Sequence, residues 1–195
     1  MTSSRLLDLP AEIRSLIYEY AVASDKTVVT FRLDSYQRDD YDHATLPSLA
    51  SVSRQVRSES LPAFYSCNDF ILHTESPKAE EANGWLRLNC NYLGLLRKVT
   101  FWLRYVPFTN DRASSQGAMS MSIFRPTKGA HWQVDEEWRW VTVVRRPAEL
   151  QGDASLILEK LRDMIPEISK DTATHDDYAA LMTDLRSFYI QEKMS

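Results

Sequence analysis

The sequence has few of the residues that support redox, metal or phosphate chemistry. Among its 195 residues it has only two cysteines, Cys67 and Cys90, and they do not form a CxxC pair. This spacing favours two reduced thiols over a single bridge and excludes a disulfide-rich fold. Glycine is also scarce, with five residues, and none lies in a glycine-rich loop that cradles phosphates. Nucleotide-binding folds built on such a loop are therefore excluded.

A large excess of one charge and long apolar runs are also missing. The chain has 23 basic and 27 acidic residues, a formal net charge of -4, so a large nucleic-acid footprint is not expected. No apolar run approaches the roughly 18 residues needed to cross a bilayer. Asp8 and Pro10 interrupt any signal-peptide core. We therefore expect a cytoplasmic and/or nuclear protein whose partners include neither nucleic acid nor membrane.

The known catalytic and metal-binding motifs are absent from the sequence. Its four histidines are His43, His73, His131 and His175. No two of them have HxH or HxxxH spacing, and neither GxSxG nor HExxH occurs. We therefore expect no metal site and no cofactor, and no catalytic residue can be named, although enzymatic activity stays open.

Apolar periodicity predicts an α+β fold. Helices are predicted over residues 9–21, 46–65 (broken or kinked at Pro62), 80–88, 153–165 and 174–189, and strands over 27–33, 69–74, 96–106, 119–124 and 131–144. The polar stretches 35–44 and 109–117 are predicted loops. We expect N-terminal helices packed on a small, mostly antiparallel sheet, with two helices at the C-terminus.

The most specific pattern lies in the first predicted helices. Residues 9–14 form the motif Leu-Pro-Ala-Glu-Ile-Arg, and residues 53–59 form the motif Ser-Arg-Gln-Val-Arg-Ser-Glu. In the first helix the apolar residues share one face: Leu9, Ile13, Leu16, Ile17, Tyr20 and Ala21. A helix with one apolar stripe packs that stripe against something else, either its own protein or a partner.

These two motifs and their order resemble the F-box, and more closely the fungal F-box-like proteins with paired Glu-x-Arg motifs. The resemblance covers roughly residues 5–75. It implies a non-enzymatic interaction module that docks on a Skp-type adaptor of a cullin-type ubiquitin ligase. The residues implied in docking are Leu9, Pro10, Ile13, Ile17, Val52 and Val56. Residues 1–75 then form an F-box-like region with an inserted strand, and residues 76–195 form an α+β region continuous with it.

The apolar stripe of the first helix has two open interpretations. It is either the face that binds an adaptor or a face that packs on the protein's own sheet, which is the commoner fate of such stripes. A mixed arrangement, with Ile13 and Ile17 inside and Leu9 and Pro10 outside, is also predicted as an intermediate case.

The charged residues of the motifs also have two interpretations. Arg54 and Arg57 stand three residues apart and can share a helix face, with Glu12 or Glu59 as ion-pair partners. Together with Arg14, they either bind an anion, as arginine forks do, or form structural Glu–Arg pairs that tie the two helices together.

An aromatic and acidic segment near residue 135 supports an alternative function. It comprises His131, Trp132, Asp135, Glu136, Glu137, Trp138 and Trp140, and Tyr105 is a further candidate. If these residues line a pocket, the protein is a small-molecule binder or enzyme, and Glu136 or Glu137 should be buried. Otherwise the segment is a solvated turn followed by an aromatic strand that packs in the core.

Overall fold

The computed structural model of the chain describes residues 5–34, 39–107, 117–142, 146–168 and 172–194. Its α-helices are α1 (Ala11–Val22), α2 (Arg54–Cys67), α3 (Lys78–Leu88), α4 (Leu150–Met164) and α5 (His175–Met194). Its strands are β1 (Thr27–Val29), β2 (Tyr41–His43), β3 (Asp69–His73), β4 (Lys98–Arg104), β5 (Ala118–Phe124), β6 (Gln133–Val134) and β7 (Arg139–Val141). Short 3₁₀ helices form at Ser48–Ser51, Cys90–Leu95 and Ile165–Glu167.

The seven strands of the described chain form one sheet. Its order is β2-β1-β3-β4-β5-β6, and β7 also pairs with β5. The pairings of β2, β1, β3 and β4 are parallel, whereas β5 is antiparallel to β4, β6 and β7. The fold is therefore α+β with two C-terminal helices, as predicted, but the sheet is mixed rather than mostly antiparallel. Side-chain alternation does not encode strand direction. The connection through α2 brings β3 in parallel to β1, and the connection through α3 brings β4 in parallel to β3.

One face of the sheet carries the main hydrophobic core. Val99, Phe101 and Leu103 of β4 all point into this core, as their alternation predicts. Every described α-helix contributes buried residues to it, among them Val22, Leu61, Phe64, Leu86, Leu161 and Leu185. The helices therefore form a layer on this face of the sheet.

The opposite face of the sheet carries a much smaller apolar cluster. Its buried members are Val29, Phe31, Ile71, Trp102 and Ala118. All five belong to strands or to the residues just after them, and none comes from a described helix. We call this side of the sheet the helix-free face.

Several local predictions differ from the structure. Helix α2 runs through Pro62 without a break, because Leu61, Phe64 and Tyr65 are buried and their burial outweighs the roughly 3 kcal/mol cost of an internal proline. Strand β2 forms within the predicted loop 35–44, since it pairs with β1. The predicted strand 131–144 is two short strands.

Two further predictions concern the loop over residues 109–117 and the state of the two cysteines. The predicted loop over residues 109–117 lies outside the described residues except for Gly117. Cys67 and Cys90 are both free, as predicted, but they are exposed and not partly buried as expected. Among the helices of the described residues, none is long and apolar enough to span a membrane.

Candidate functional site

Helix α1 exposes its apolar stripe to solvent. Ile13, Leu16 and Tyr20 are 44%, 62% and 91% exposed, and Leu9 and Ile17 are also exposed. The expectation that Ile13 and Ile17 lie inside is therefore wrong. We call these five side chains, Leu9, Ile13, Leu16, Ile17 and Tyr20, the α1 apolar face. Pro10, just before the helix, is exposed beside it.

The opposite side of α1 packs on the protein. Tyr18 and Val22 are its buried residues. Since successive residues are about 100° apart around a helix, Tyr18 lies about 160° away from both Leu16 and Tyr20. The side of α1 that carries Tyr18 and Val22 therefore packs in the protein's own core, and the α1 apolar face is left exposed to solvent.

The segment before α2 adds further exposed apolar residues. Leu46 and Val52 are exposed, whereas Val56 is 2% exposed. The sequence assigned both Val52 and Val56 to docking. The burial of Val56 in the core removes it from any docking surface. The 3₁₀ helix between Leu46 and Val52 lies close to the C-terminal end of α1, because residues 21–26 and 47–49 line one shallow depression.

An ion pair fixes α1 against α2. The guanidinium of Arg14 donates from Nε and Nη2 to the two carboxylate oxygens of Glu59, both at 2.8 Å. Its Nη1 donates to the carbonyl of Leu9 at 2.7 Å. The hydrogen bond from Arg14, followed by that from Gln55, lowers the pKa of Glu59 to about 2. The structure thus contains a Glu–Arg pair that ties the two helices together, which is the structural interpretation of the motifs. Its arginine is Arg14, however, and not Arg54 or Arg57.

The remaining motif charges have different roles. The Nε of Arg57 donates to the carbonyl of Ala50 at 2.6 Å, so it ties the 3₁₀ helix to α2. Ser53 caps α2 by accepting from the backbone N–H of Val56. Arg54 and Glu12 are exposed. Because Arg57 is used internally, the structure does not bring Arg54 and Arg57 together as an anion fork.

A buried asparagine holds the C-terminal end of α1. The Nδ2 of Asn68 donates to the carbonyls of Val22 at 3.0 Å and Phe64 at 2.8 Å. Its Oδ1 accepts from the backbone N–H of Ser24 at 2.7 Å. One side chain thus joins the ends of α1 and α2. Sequence reasoning missed it, because a single asparagine after a helix is also typical of an ordinary helix end.

The acidic residues near position 135 are on the surface. Glu136 and Glu137 are exposed, and Glu136 forms an ion pair with Arg162 of α4. The burial that the acid–base hypothesis requires is therefore not found. His131 is also exposed. No described contact links it to either carboxylate.

The aromatic residues of that segment are dispersed over separate places. Trp132 is buried, with the Arg125 guanidinium 4.6 Å from its ring centre. Trp138 is half-buried under Arg146, at 4.2 Å. Trp140 contacts Tyr105 edge to face, with ring centres 5.9 Å apart. The hydroxyl of Tyr105 donates to Glu149 at 2.5 Å.

These rings act mainly as packing residues, because each is covered by a different partner. Of the predicted pocket residues, Tyr105 contacts Trp140, and Glu137 and Trp140 line one cleft on the helix-free face.

Neither metal chemistry nor a known relative adds to this description. The described residues contain no group of three or more His, Cys, Asp or Glu side chains that could hold a metal ion. Comparisons with protein-family models, curated proteins and solved structures give no match to this chain. The α1 apolar face is therefore the strongest candidate site.

The docking residues implied by the motif do not include every exposed apolar residue of this region. Leu16, Tyr20 and Leu46 are all more exposed than Leu9, Ile13 and Ile17, yet they were not assigned to docking. The helical spacing of the apolar residues from Leu9 to Tyr20 already predicted that Leu16 and Tyr20 share this face. The sequence alone could therefore have identified these two residues.

Proposed function

We propose that the protein is a non-enzymatic interaction module that docks on a Skp-type adaptor through the α1 apolar face, as a substrate adaptor of a cullin-type ubiquitin ligase. The observation that carries the proposal is the exposure of Leu9, Ile13, Leu16, Ile17 and Tyr20 on one side of a helix. A contiguous exposed apolar patch marks an interaction surface, whereas single exposed apolar residues are ordinary. The resemblance to F-box-like proteins supplies the class of partner.

The way α1 is anchored also favours docking. Tyr18 and Val22 are buried beneath the helix, and the Arg14–Glu59 pair and Asn68 fix its two ends. A preformed helix loses little conformational entropy on binding, so more of the apolar burial contributes to affinity. An amphipathic helix that presents spaced apolar anchors is a common recognition mode.

The remainder of the chain then serves as the part that holds a substrate or other partner. Strand β3 follows α2 directly, and it pairs with β1 and β4 in the sheet. The docking helices are therefore continuous with the sheet, and a partner bound to the sheet would be held at a fixed orientation relative to the adaptor.

The experiment that tests the proposal is a pull-down of a purified Skp-type adaptor by the purified protein. We expect capture by the native chain and by Ser15→Asp, and no capture by Ile13→Asp. Ser15 lies on α1 but outside the apolar face, and it is exposed, so it gives the same new charge on the same helix. Failure of the native chain to capture the adaptor, or equal capture by both variants, contradicts the proposal.

A further inference from the structure

The helix-free face carries a cleft with a volume of about 320 Å³. Thr100 of β4 and Ser122 of β5 are register partners, and their hydroxyl oxygens lie 2.8 Å apart. Ser120, on the same side of β5, also lines the cleft. These short side chains form its floor, because longer residues on the flanking strands and on β7 rise around them.

The walls of the cleft carry charges of both signs. Lys98 pairs with Asp135, with Nζ 3.3 Å from Oδ2. Asp69 stands beside Lys98 as its register partner, and burial raises its pKa despite the nearby ammonium. Glu137 and Arg139 line the cleft from the segment before β7 and from β7 itself. The cleft thus has three carboxylates and two cationic groups, with donors and acceptors interspersed.

The remaining wall is aromatic. Trp102 is 2% exposed and contacts Tyr41 edge to face, with ring centres 5.0 Å apart; both rings and Trp140 line the cleft. The buried indole N–H of Trp102 has no hydrogen-bond partner among the described residues. This N–H is covered by the protein itself, so the aromatic wall that a ligand can reach is formed mainly by the half-buried Tyr41 and Trp140.

We infer that this cleft binds a small uncharged ligand rich in hydroxyl groups, of the monosaccharide class. Hydroxyl groups both donate and accept, so one such ligand can satisfy the carboxylates, the cations and the hydroxyl floor together. An apolar ligand would displace the water that hydrates these polar groups without replacing its hydrogen bonds, which is unfavourable. An anionic ligand would meet three carboxylates against two cations, so its net interaction with the charges of the cleft is repulsive. The proposal is independent of the α1 apolar face and of docking to an adaptor.

The preference for a neutral ligand rests on the nearly equal numbers of carboxylates and cationic groups in the cleft. The half-buried rings of Tyr41 and Trp140 can contact the C–H groups of a sugar ring, while the rest of the cleft is polar. The volume lies at the lower end of the range for small-molecule sites, which is about 300 to 1,000 Å³. A single sugar ring is the size of ligand that such a volume admits.

The test is a titration followed by ¹⁵N NMR of the tryptophan indole N–H signals, with the Trp102 signal assigned from Trp102→Phe. The probes are D-glucose and D-galactose as neutral sugars, D-glucuronate as the anionic analogue and D-glucosamine as the cationic one. We expect a neutral sugar to shift the Trp102 signal in a saturable way. We expect at least about tenfold weaker binding of glucuronate, since it repels the carboxylates.

Three variants test whether the sugar binds in this cleft. Ser122→Leu fills the floor and Lys98→Met removes a rim donor without changing the buried floor, and each should weaken sugar binding at least about tenfold. Ser155→Leu, on an exposed position of α4, should bind as the native chain does. No saturable shift with either neutral sugar, tighter binding of a charged analogue, or unchanged binding in Lys98→Met would overturn the inference.

Discussion

Truncation of Leu16 to alanine separates docking from folding, because Leu16 is an exposed member of the α1 apolar face. Full burial of a leucine side chain contributes about 1.5–3 kcal/mol. Leu16 is 62% exposed in the free protein, so an adaptor that covers it gains about 1–2 kcal/mol from that side chain. Loss of this contribution should weaken adaptor binding roughly fivefold to thirtyfold.

The same truncation should leave the protein folded. An exposed side chain contributes little to the native core, so the free energy of unfolding should change by no more than about 0.5 kcal/mol. Tyr18→Ala is the opposite case, because Tyr18 is 1% exposed and loss of a buried aromatic side chain costs about 3–5 kcal/mol of stability. Calorimetric titration of the adaptor measures the binding, and urea unfolding measures the stability.

Two outcomes for Leu16→Ala would refute this reasoning. One is an unchanged dissociation constant for the adaptor, which would mean that α1 does not contact it at this point. The other is a loss of folding stability well above 0.5 kcal/mol, which would mean that Leu16 is packed in the protein's own core.

Three further predictions concern the contacts that hold the fold. The folded pKa of Glu59, about 2, is below its ordinary value of 4.5, so its pairing with Arg14 stabilises fully above pH 4.5 and is lost as the pH falls towards 2. Arg14→Met should remove that part of the pH dependence in urea unfolding, and parallel pH profiles for native and variant chains would contradict it. Burial, followed by the charge of Lys78, lowers the pKa of His73 from 6.5 to about 4, so stability should be full above pH 6.5 and fall towards pH 4, by about 3 kcal/mol at most. His73→Gln should flatten this decline and His131→Gln should not; equal profiles for the two variants would refute the assignment. Asn68→Ala leaves two carbonyls and one N–H without their partner and should cost about 1–3 kcal/mol, with faster hydrogen exchange at the Ser24 amide; unchanged exchange there would show that Asn68 does not hold the end of α1.

Much of the fold could be predicted where local patterns are strong. The alternation in β4 correctly separated Val99 and Phe101 from Trp102 on the other face. Helix α5 forms where a helix is predicted over residues 174–189, and a capping box begins it: the Thr174 N–H donates to the Asp177 carboxylate at 2.6 Å, and the Asp177 N–H donates to the Thr174 hydroxyl at 3.3 Å. Strand direction and the pairing of β2 could not be predicted, since they depend on the crossovers that join distant strands.

The candidate site was predictable only in part. Periodicity identified the apolar stripe of α1 but gave no sign of whether it faces the core. The stripe is exposed because Tyr18 and Val22, on the other side of the helix, are the residues that pack in the core. Likewise, nothing in the sequence near Arg14 shows that its partner is Glu59, 45 residues away, rather than an arginine–glutamate pair within one motif.

The central claim is that the α1 apolar face binds a Skp-type adaptor, and a calorimetric titration tests it most directly. The native chain and the Ser15→Asp variant should bind the adaptor with a dissociation constant of about a micromolar or tighter. The Ile13→Asp variant should give no measurable heat of binding, because docking would bury its carboxylate without a partner. An absence of binding by the native chain, or an equal dissociation constant for the Ile13→Asp and Ser15→Asp variants, would contradict the account.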